Sequence, residues 1–257
     1  MKIPTLNPHY RASLVLILAA AILVALALLT NDRDITTAAV VLSAVICLIT
    51  GIFFATLAGP EPLDHRFVGL LPIGGSISLA RTAAGLGIAG NAVVLPKGTD
   101  GRGQTIQFNP VASYDGGEVR GQSFVTGGDA CGLITVPAGG PLLAELQQNN
   151  QVAIPGDTAA LADLIRETAV DLLEVADKAR VEPGDGTFTV SMEGYRLISG
   201  CRALAAESPR ICSTHPCPVC SLYACILAEG LGRAVQVERC EADRDADTVT
   251  ASFTFLP

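Results

Sequence analysis

Residues 212–240 read CSTHPCPVCSLYACILAEGLGRAVQVERC and hold five of the eight cysteines and one of the three histidines. The stretch reads as one unit: a cysteine-rich loop, a short helix over 218–229, a glycine stop at Gly230 and Gly232, and a strand over 233–240. Pro218 suits the first turn of a helix, where its missing amide hydrogen is not needed. A glycine just past the end suits the left-handed residue that closes one. At ~100° per residue, Cys220 and Cys225 lie about 140° apart on such a helix. Cys225 then falls with Ser221 and Glu229 on the more polar arc, and Cys220 with Ala224 and Leu227 on the apolar arc.

Cys212, His215, Cys217 and Cys220 place four sulfur or nitrogen donors within nine residues, and Cys240 adds a fifth at the end of the strand. Donors at such separations are what zinc requires, with an iron–sulfur cluster the less favoured occupant. One knuckle rarely supplies a whole shell, so a second supplier is needed, and Cys240, Cys131 and Cys201 are the choices. A rival chemistry rests on Cys217 and Cys220 alone. Two cysteines at a helix start, in the order Cys-Pro-Val-Cys, sit where the helix dipole lowers a thiol pKa and favours thiol–disulfide exchange. This segment resembles a glutaredoxin active site, but too little chain follows Cys240 to complete that fold. The plain alternative is that the cysteines are small buried residues. Cys201 reads that way, on one face of a helix over 195–206 with Leu197, Ile198 and Leu204.

The cysteine-bearing helix, the run GLGRAVQVERCEA and a last alternating strand ending in Phe255 together resemble the C-terminal end of 4-vinyl-reductase-type domains. These are small-ligand-sensing modules of the superfamily that includes NO-signalling and Golgi-transport domains. The resemblance implies an α+β fold and makes Cys240, with Cys217 or Cys220, a candidate for ligand or metal contact. Where the family has a glycine and a second cysteine after the first, this chain has an aspartate-rich turn.

Working outward, 248–255 (TVTASFTF) alternates strictly and predicts a strand. Asp243, Asp245 and Asp247 before it form a solvated hairpin turn, since a calcium loop would also need a glycine and a terminal glutamate that are missing. Residues 157–180 carry the helical spacing of Leu161, Leu164, Ile165, Thr168, Leu172, Val175 and Ala179, which predicts one long helix capped by Asp157 or Thr158. A strand is expected over 187–192. Further back, 76–86 and 141–148 read as helices, and 91–95, 104–108 and 132–136 as strands. The first two of these strands form a hairpin around turn chemistry at 96–103. The glycine-rich segment 113–128 reads as an exposed loop. Residues 85–90 (GLGIAG) match a dinucleotide fingerprint letter by letter, but a helix precedes them and a strand follows. That reverses the order needed to aim helix amides at a pyrophosphate.

Two uncharged apolar runs, 12–30 and 35–59, are each near or above the ~20 residues that cross a bilayer core. Residues 1–59 are therefore expected to form a transmembrane hairpin in the cell membrane. A linker over 60–66 follows, then a β-rich first part (67–150) and an α+β cysteine-rich second part (151–257) of a soluble domain with antiparallel strands and packed helices. Lys2 and Arg11 precede the first span and Arg66 and Arg81 follow the second, with only Arg33 between them, so the soluble domain is expected on the cytoplasmic side. A net charge of −8 argues against nucleic-acid binding, which wants a basic face. No order of serine, histidine and acid suggests a catalytic triad, and no catalytic residue is assigned. The expectation is a membrane-anchored, non-catalytic sensor or scaffold for a small ligand or a metal. Its partners are the bilayer and a small ligand or protein, with homo-oligomerisation open. The alternative is a membrane-tethered redox protein.

Overall fold

A computed structural model describes residues 8–29, 35–57, 63–98, 103–117, 119, 123–125, 130–243 and 245–256. The chain divides into two compact units, Met1–Pro62 and Leu63–Pro257. The expected loop 31–34, the start of the linker and part of the 96–103 turn lie outside the described residues.

The first unit holds α1 (Pro8–Leu29) and α2 (Ile35–Leu57). Both are long and apolar enough to cross a membrane. Small residues let the two helices approach: Ser13, Ala20, Ala44 and Gly51 are buried, and a side chain at Gly51 would meet Ile17 Cγ1 at 2.9 Å. Small residues at the contact are how helices pair where surrounding lipid offers no hydrophobic drive. Two further segments, His65–Gly85 and Ile211–Leu231, meet the same length and composition, but the second is core of the second unit.

The second unit opens with α3 (His65–Leu70) and α4 (Ile73–Gly85), continues through β1 (Val93–Leu95), β2 (Ile106–Pro110), β3 (Phe124–Val125) and β4 (Gly132–Thr135), and reaches α5 (Gly140–Gln148). Then come α6 (Thr158–Glu167), β5 (Lys178–Pro183), β6 (Thr187–Glu193), α7 (Ile198–Glu207), α8 (Ile211–Thr214), α9 (Pro218–Leu231), β7 (Val235–Ala242) and β8 (Thr248–Phe255). The strands make one antiparallel sheet in the order β3-β4-β2-β1-β7-β8-β6-β5. The β1–β7 pairing joins the two expected parts of the soluble domain into that single sheet. The helices and the antiparallel sheet agree with the expected fold class.

Alternation decides which face of the sheet is covered. Val249, Ala251 and Phe253 of β8 pair with Met192, Val190 and Phe188 of β6, and all six are buried. Helix α9 packs against the same sheet through β7 and β1, and its Tyr223 hydroxyl reaches Met192 Sδ of β6 at 3.4 Å. This helix is covered all round: every residue from Val219 to Ala228 is buried. Cys217 caps it in extended geometry, Pro218 begins it, and Gly232 ends it at φ 61°. Close approach is built in, since a Cβ on Gly139 would run into the backbone of Leu222. Glu229, near its end, is held by Lys97 Nζ at 3.0 Å, Thr105 Oγ1 at 2.6 Å and Gln147 Nε2 at 3.3 Å, which ties α9 to the β1–β2 hairpin and α5.

Three expectations need correction. Residues 157–180 do not form one helix: α6 stops at Glu167, a π-turn runs over Thr168–Leu172, and Glu174 takes φ 48° before the chain enters β5. In β5, Ala179 and Val181 alternate with charged residues, and this period of two was already present in the sequence. Second, Cys225 does not sit on a polar arc but is fully buried. Third, the segment 113–128 is not simply exposed, because Tyr114, Val119 and Val125 are buried with Phe108 in a second core on the β1–β2–β4 end of the sheet. The GLGIAG glycines do end α4: Gly87 takes φ 77°, and a side chain on Gly90 would meet Ala112 O at 2.5 Å.

Candidate functional site: a buried thiol chain beneath an apolar cavity

Four elements bring cysteines together. Cys201 comes from the inner face of α7, Cys212 from α8, Cys217 and Cys220 from the start of α9, and Cys240 from β7; all five are buried. A bulge in β7 makes the last placement possible. The register slips between Val237 and Arg239, so the inward sequence runs Val235, Val237, Cys240. Without the extra residue, Arg239 would face the core and Cys240 would face away.

The thiols form an electrostatically coupled chain. Cys220 and Cys240 are in direct contact, with sulfurs 3.1 Å apart, and the coupling runs on from Cys220 to Cys217 and Cys201 and from Cys240 to Cys212. Cys217 has Cys201 and Cys220 beside it and Cys240 has Cys212 and Cys220; the single Cys220 proton serves only one of the two at a time, and in the Cys220–Cys240 pair either sulfur can donate. Hydrogen bonds from Cys201 and Cys220, helped by amides at the helix start, hold the Cys217 thiol well below its ordinary pKa against the opposing effect of burial. Bonds from Cys212 and Cys220 bring Cys240 down to about 6. The donors move the other way: donation to a neighbouring sulfur, then burial, raises Cys201, Cys212 and Cys220. Cys225 stands apart on α9, pushed up to about 12 by burial and then by Glu229.

His215 is not part of this chain. It is buried, with Nδ1 3.2 Å from Thr214 Oγ1 and Nε2 without a partner among the described residues, and it lines a separate recess with Arg81, Glu207 and Arg210. Burial lowers its pKa. Cys131 is exposed, leaving Cys201 and Cys240 as the cysteines that complete the cluster. Among the described residues, no group of three or more His, Cys, Asp or Glu side chains is arranged to hold a metal ion.

Above the chain lies an apolar cavity of about 600 Å³. Tyr195, Cys201 and Cys217 line it on the side of the thiols, and Leu142, Leu173 and Val175 are among the apolar side chains around them. The corner between α3 and α4 supplies another wall through Val68, Gly69, Leu71, Pro72 and Ile73. Burial, followed by the nearby Cys217 sulfur, raises the Tyr195 pKa well above the ordinary value, so its phenol stays neutral. An apolar enclosure of this volume, with a few convergent polar groups at one side, has the dimensions of a small-molecule site. Sequence reasoning had no access to the cavity, because its walls come from segments more than a hundred residues apart.

No curated protein and no solved structure matches the chain. Residues 7–253 match the family described as Domain of unknown function (DUF7982), and the chain belongs to that family.

Proposed function

We propose that the chain is a membrane-anchored, non-catalytic binding domain that holds a small apolar ligand in the cavity beside Cys201 and Cys217. The observation that carries this reading is the continuity of cavity and thiol chain: the two cysteines that line the cavity are also the first two members of the chain. An occupant would touch the Cys217 sulfur and alter its access to water. Any change at Cys217 passes through Cys220 to Cys240 and Cys212. That is a chemical basis for sensing occupancy. The resemblance of the C-terminal segment to 4-vinyl-reductase-type ligand-sensing domains points the same way. The Lys and Arg distribution around α1 and α2 favours a cytoplasmic position for the domain.

Zinc is the second reading, favoured by Cys217 and Cys240, two sulfurs inclined to ionise within one cluster. It would require the thiols to be drawn from a chain into a shell, with His215 recruited from its recess. Mass measurement on full-length protein, purified without oxygen or chelator, separates the readings. An organic ligand at one per chain, absent from Ala138→Trp at the exposed rim of the cavity, is the expected result. Stoichiometric zinc or iron with no organic ligand would overturn the proposal in favour of the metal. A ligand-free, metal-free protein with a fast-reacting Cys217–Cys220 dithiol would overturn it in favour of thiol redox.

A further inference from the structure

The corner of α3 and α4 has two faces of opposite kind. Its inner face is pinned to α7: a side chain on Gly69 would meet Leu197 O and Ser199 Oγ at 3.1 Å, and Ser199 Oγ donates to Arg66 O at 3.2 Å. Its outer face carries Leu63, Phe67, Leu70 and Leu71, which are 70, 67, 45 and 74% exposed. These are four of the nine exposed large apolar side chains among the described residues of the soluble unit, and they fall within nine residues. The other five are spread from Leu79 to Val136. A concentrated patch of this kind calls for a partner, whereas scattered ones do not.

Where the chain puts this patch identifies the partner. Helix α2 ends at Leu57, and Leu63 is six residues further on. Six extended residues reach at most roughly 20 Å, so the patch is tethered close to the end of a membrane span. Asp64, His65 and Arg66, all exposed, sit among the apolar residues. Apolar side chains interleaved with polar and charged ones are the make-up of a segment that lies in the headgroup region without crossing. The His65–Gly85 run is apolar enough to be a span, yet it is broken at Pro72, and Ile73 and Ala83 are buried in the soluble unit.

We propose that the α3–α4 corner is seated in the headgroup–acyl boundary of the bilayer, with Phe67 and Leu71 inserted. Since Val68, Gly69, Leu71, Pro72 and Ile73 also wall the apolar cavity, one rim of the cavity then faces lipid. On the reading given above, on which this consequence rests, the ligand is a lipid-soluble molecule taken from the bilayer.

The chain contains no tryptophan, so Phe67→Trp supplies a single fluorescent reporter. The full-length variant is placed in vesicles of phosphatidylcholine and phosphatidylglycerol, with and without bromine on the acyl chains, and Phe124→Trp on β3 is the comparison. The expected result is blue-shifted Phe67→Trp emission quenched at least twofold by the brominated lipid, with Phe124→Trp unaffected. Leu71→Trp is expected to behave as Phe67→Trp does, which guards against a local fault at either site. Emission quenched by aqueous iodide as strongly as at Phe124→Trp would overturn the proposal. So would a blue shift without bromine quenching, which would mean that a second copy or another protein covers the patch. Quenching does not depend on cavity occupancy. Its presence with an empty cavity would leave the docking intact and refute the ligand reading alone.

Discussion

Cys240 and Cys217 are the residues at which this fold makes sulfur acidic, and the consequence is a pH-dependent stability. With Cys240 at about 6 in the fold against an ordinary value of 9.0, the folded chain has released that proton between these limits while the unfolded chain keeps it. Stability therefore rises with pH across this window, and the contribution vanishes below about 6. Above about 9 the relation reverses for Cys201, Cys212, Cys220 and Cys225, which keep protons in the fold that the unfolded chain loses, and stability falls. Denaturant unfolding of the reduced protein across this range should show a maximum, and Cys240→Ser should flatten its acid side. An unchanged acid side would remove Cys240 from the account. Most of the cluster was legible in the sequence, because the spacing of Cys212, Cys217, Cys220 and Cys240 is local or one strand away. Cys201 was legible only as one of three possible second suppliers, since helix phase assigns it to packing and only the seat of α7 against α8 and β7 brings it to the cluster. His215 shows the opposite fault: nearness in sequence to Cys212 and Cys217 did not become nearness in the cluster.

Among the elements of the second unit, α9 is the one packed between α5 and α6 on one hand and β1 and β7 on the other. A helical-wheel reading that divides it into polar and apolar arcs fails because neighbours cover every side, and periodicity carries no information about a helix buried all round. Its tight seat gives a contrast between adjacent residues. Gly139→Ala should cost at least ~1–3 kcal/mol by forcing a methyl into the Leu222 backbone, whereas Gly140→Ala, with its nearest neighbour at 3.9 Å, should be close to neutral. Equal effects in thermal unfolding would contradict the packing described. The strands that alternate strictly, β6 and β8, were legible almost residue for residue. The span 157–180 was not. Its helical spacing runs on past the point where the π-turn and Glu174 redirect the chain, and the alternation of β5 is masked by overlap with it. Asp157 was recognisable as a cap, and its carboxylate accepts from Ala160 N at 3.0 Å. Asp157→Ala should cost ~1 kcal/mol.

At the scale of the whole molecule, the hydropathy of the first sixty residues separates a helical pair from a unit with its own sheet and cores. Leu63–Pro257 should therefore fold and unfold cooperatively without α1 and α2, in detergent if the α3–α4 corner needs cover; a fragment unfolded under reducing conditions would contradict that division. A cysteine placed at Asn31 should be labelled from outside intact cells if both ends of the helical pair face the cytoplasm, and labelling of the soluble unit instead would reverse the orientation. The cavity was the part wholly out of reach of sequence, and the account depends on it. Its most direct test is a race between two cysteines in the full-length protein in lipid discs. Iodoacetamide alkylation of Cys217, beside the cavity, and of exposed Cys131 is followed by peptide mass with and without the neutral apolar probe N-phenyl-1-naphthylamine. The account predicts that the probe, or the Ala138→Trp plug, slows Cys217 at least several-fold and leaves Cys131 unchanged. Slowing of both cysteines alike, or of neither, would contradict a ligand cavity at the thiol chain.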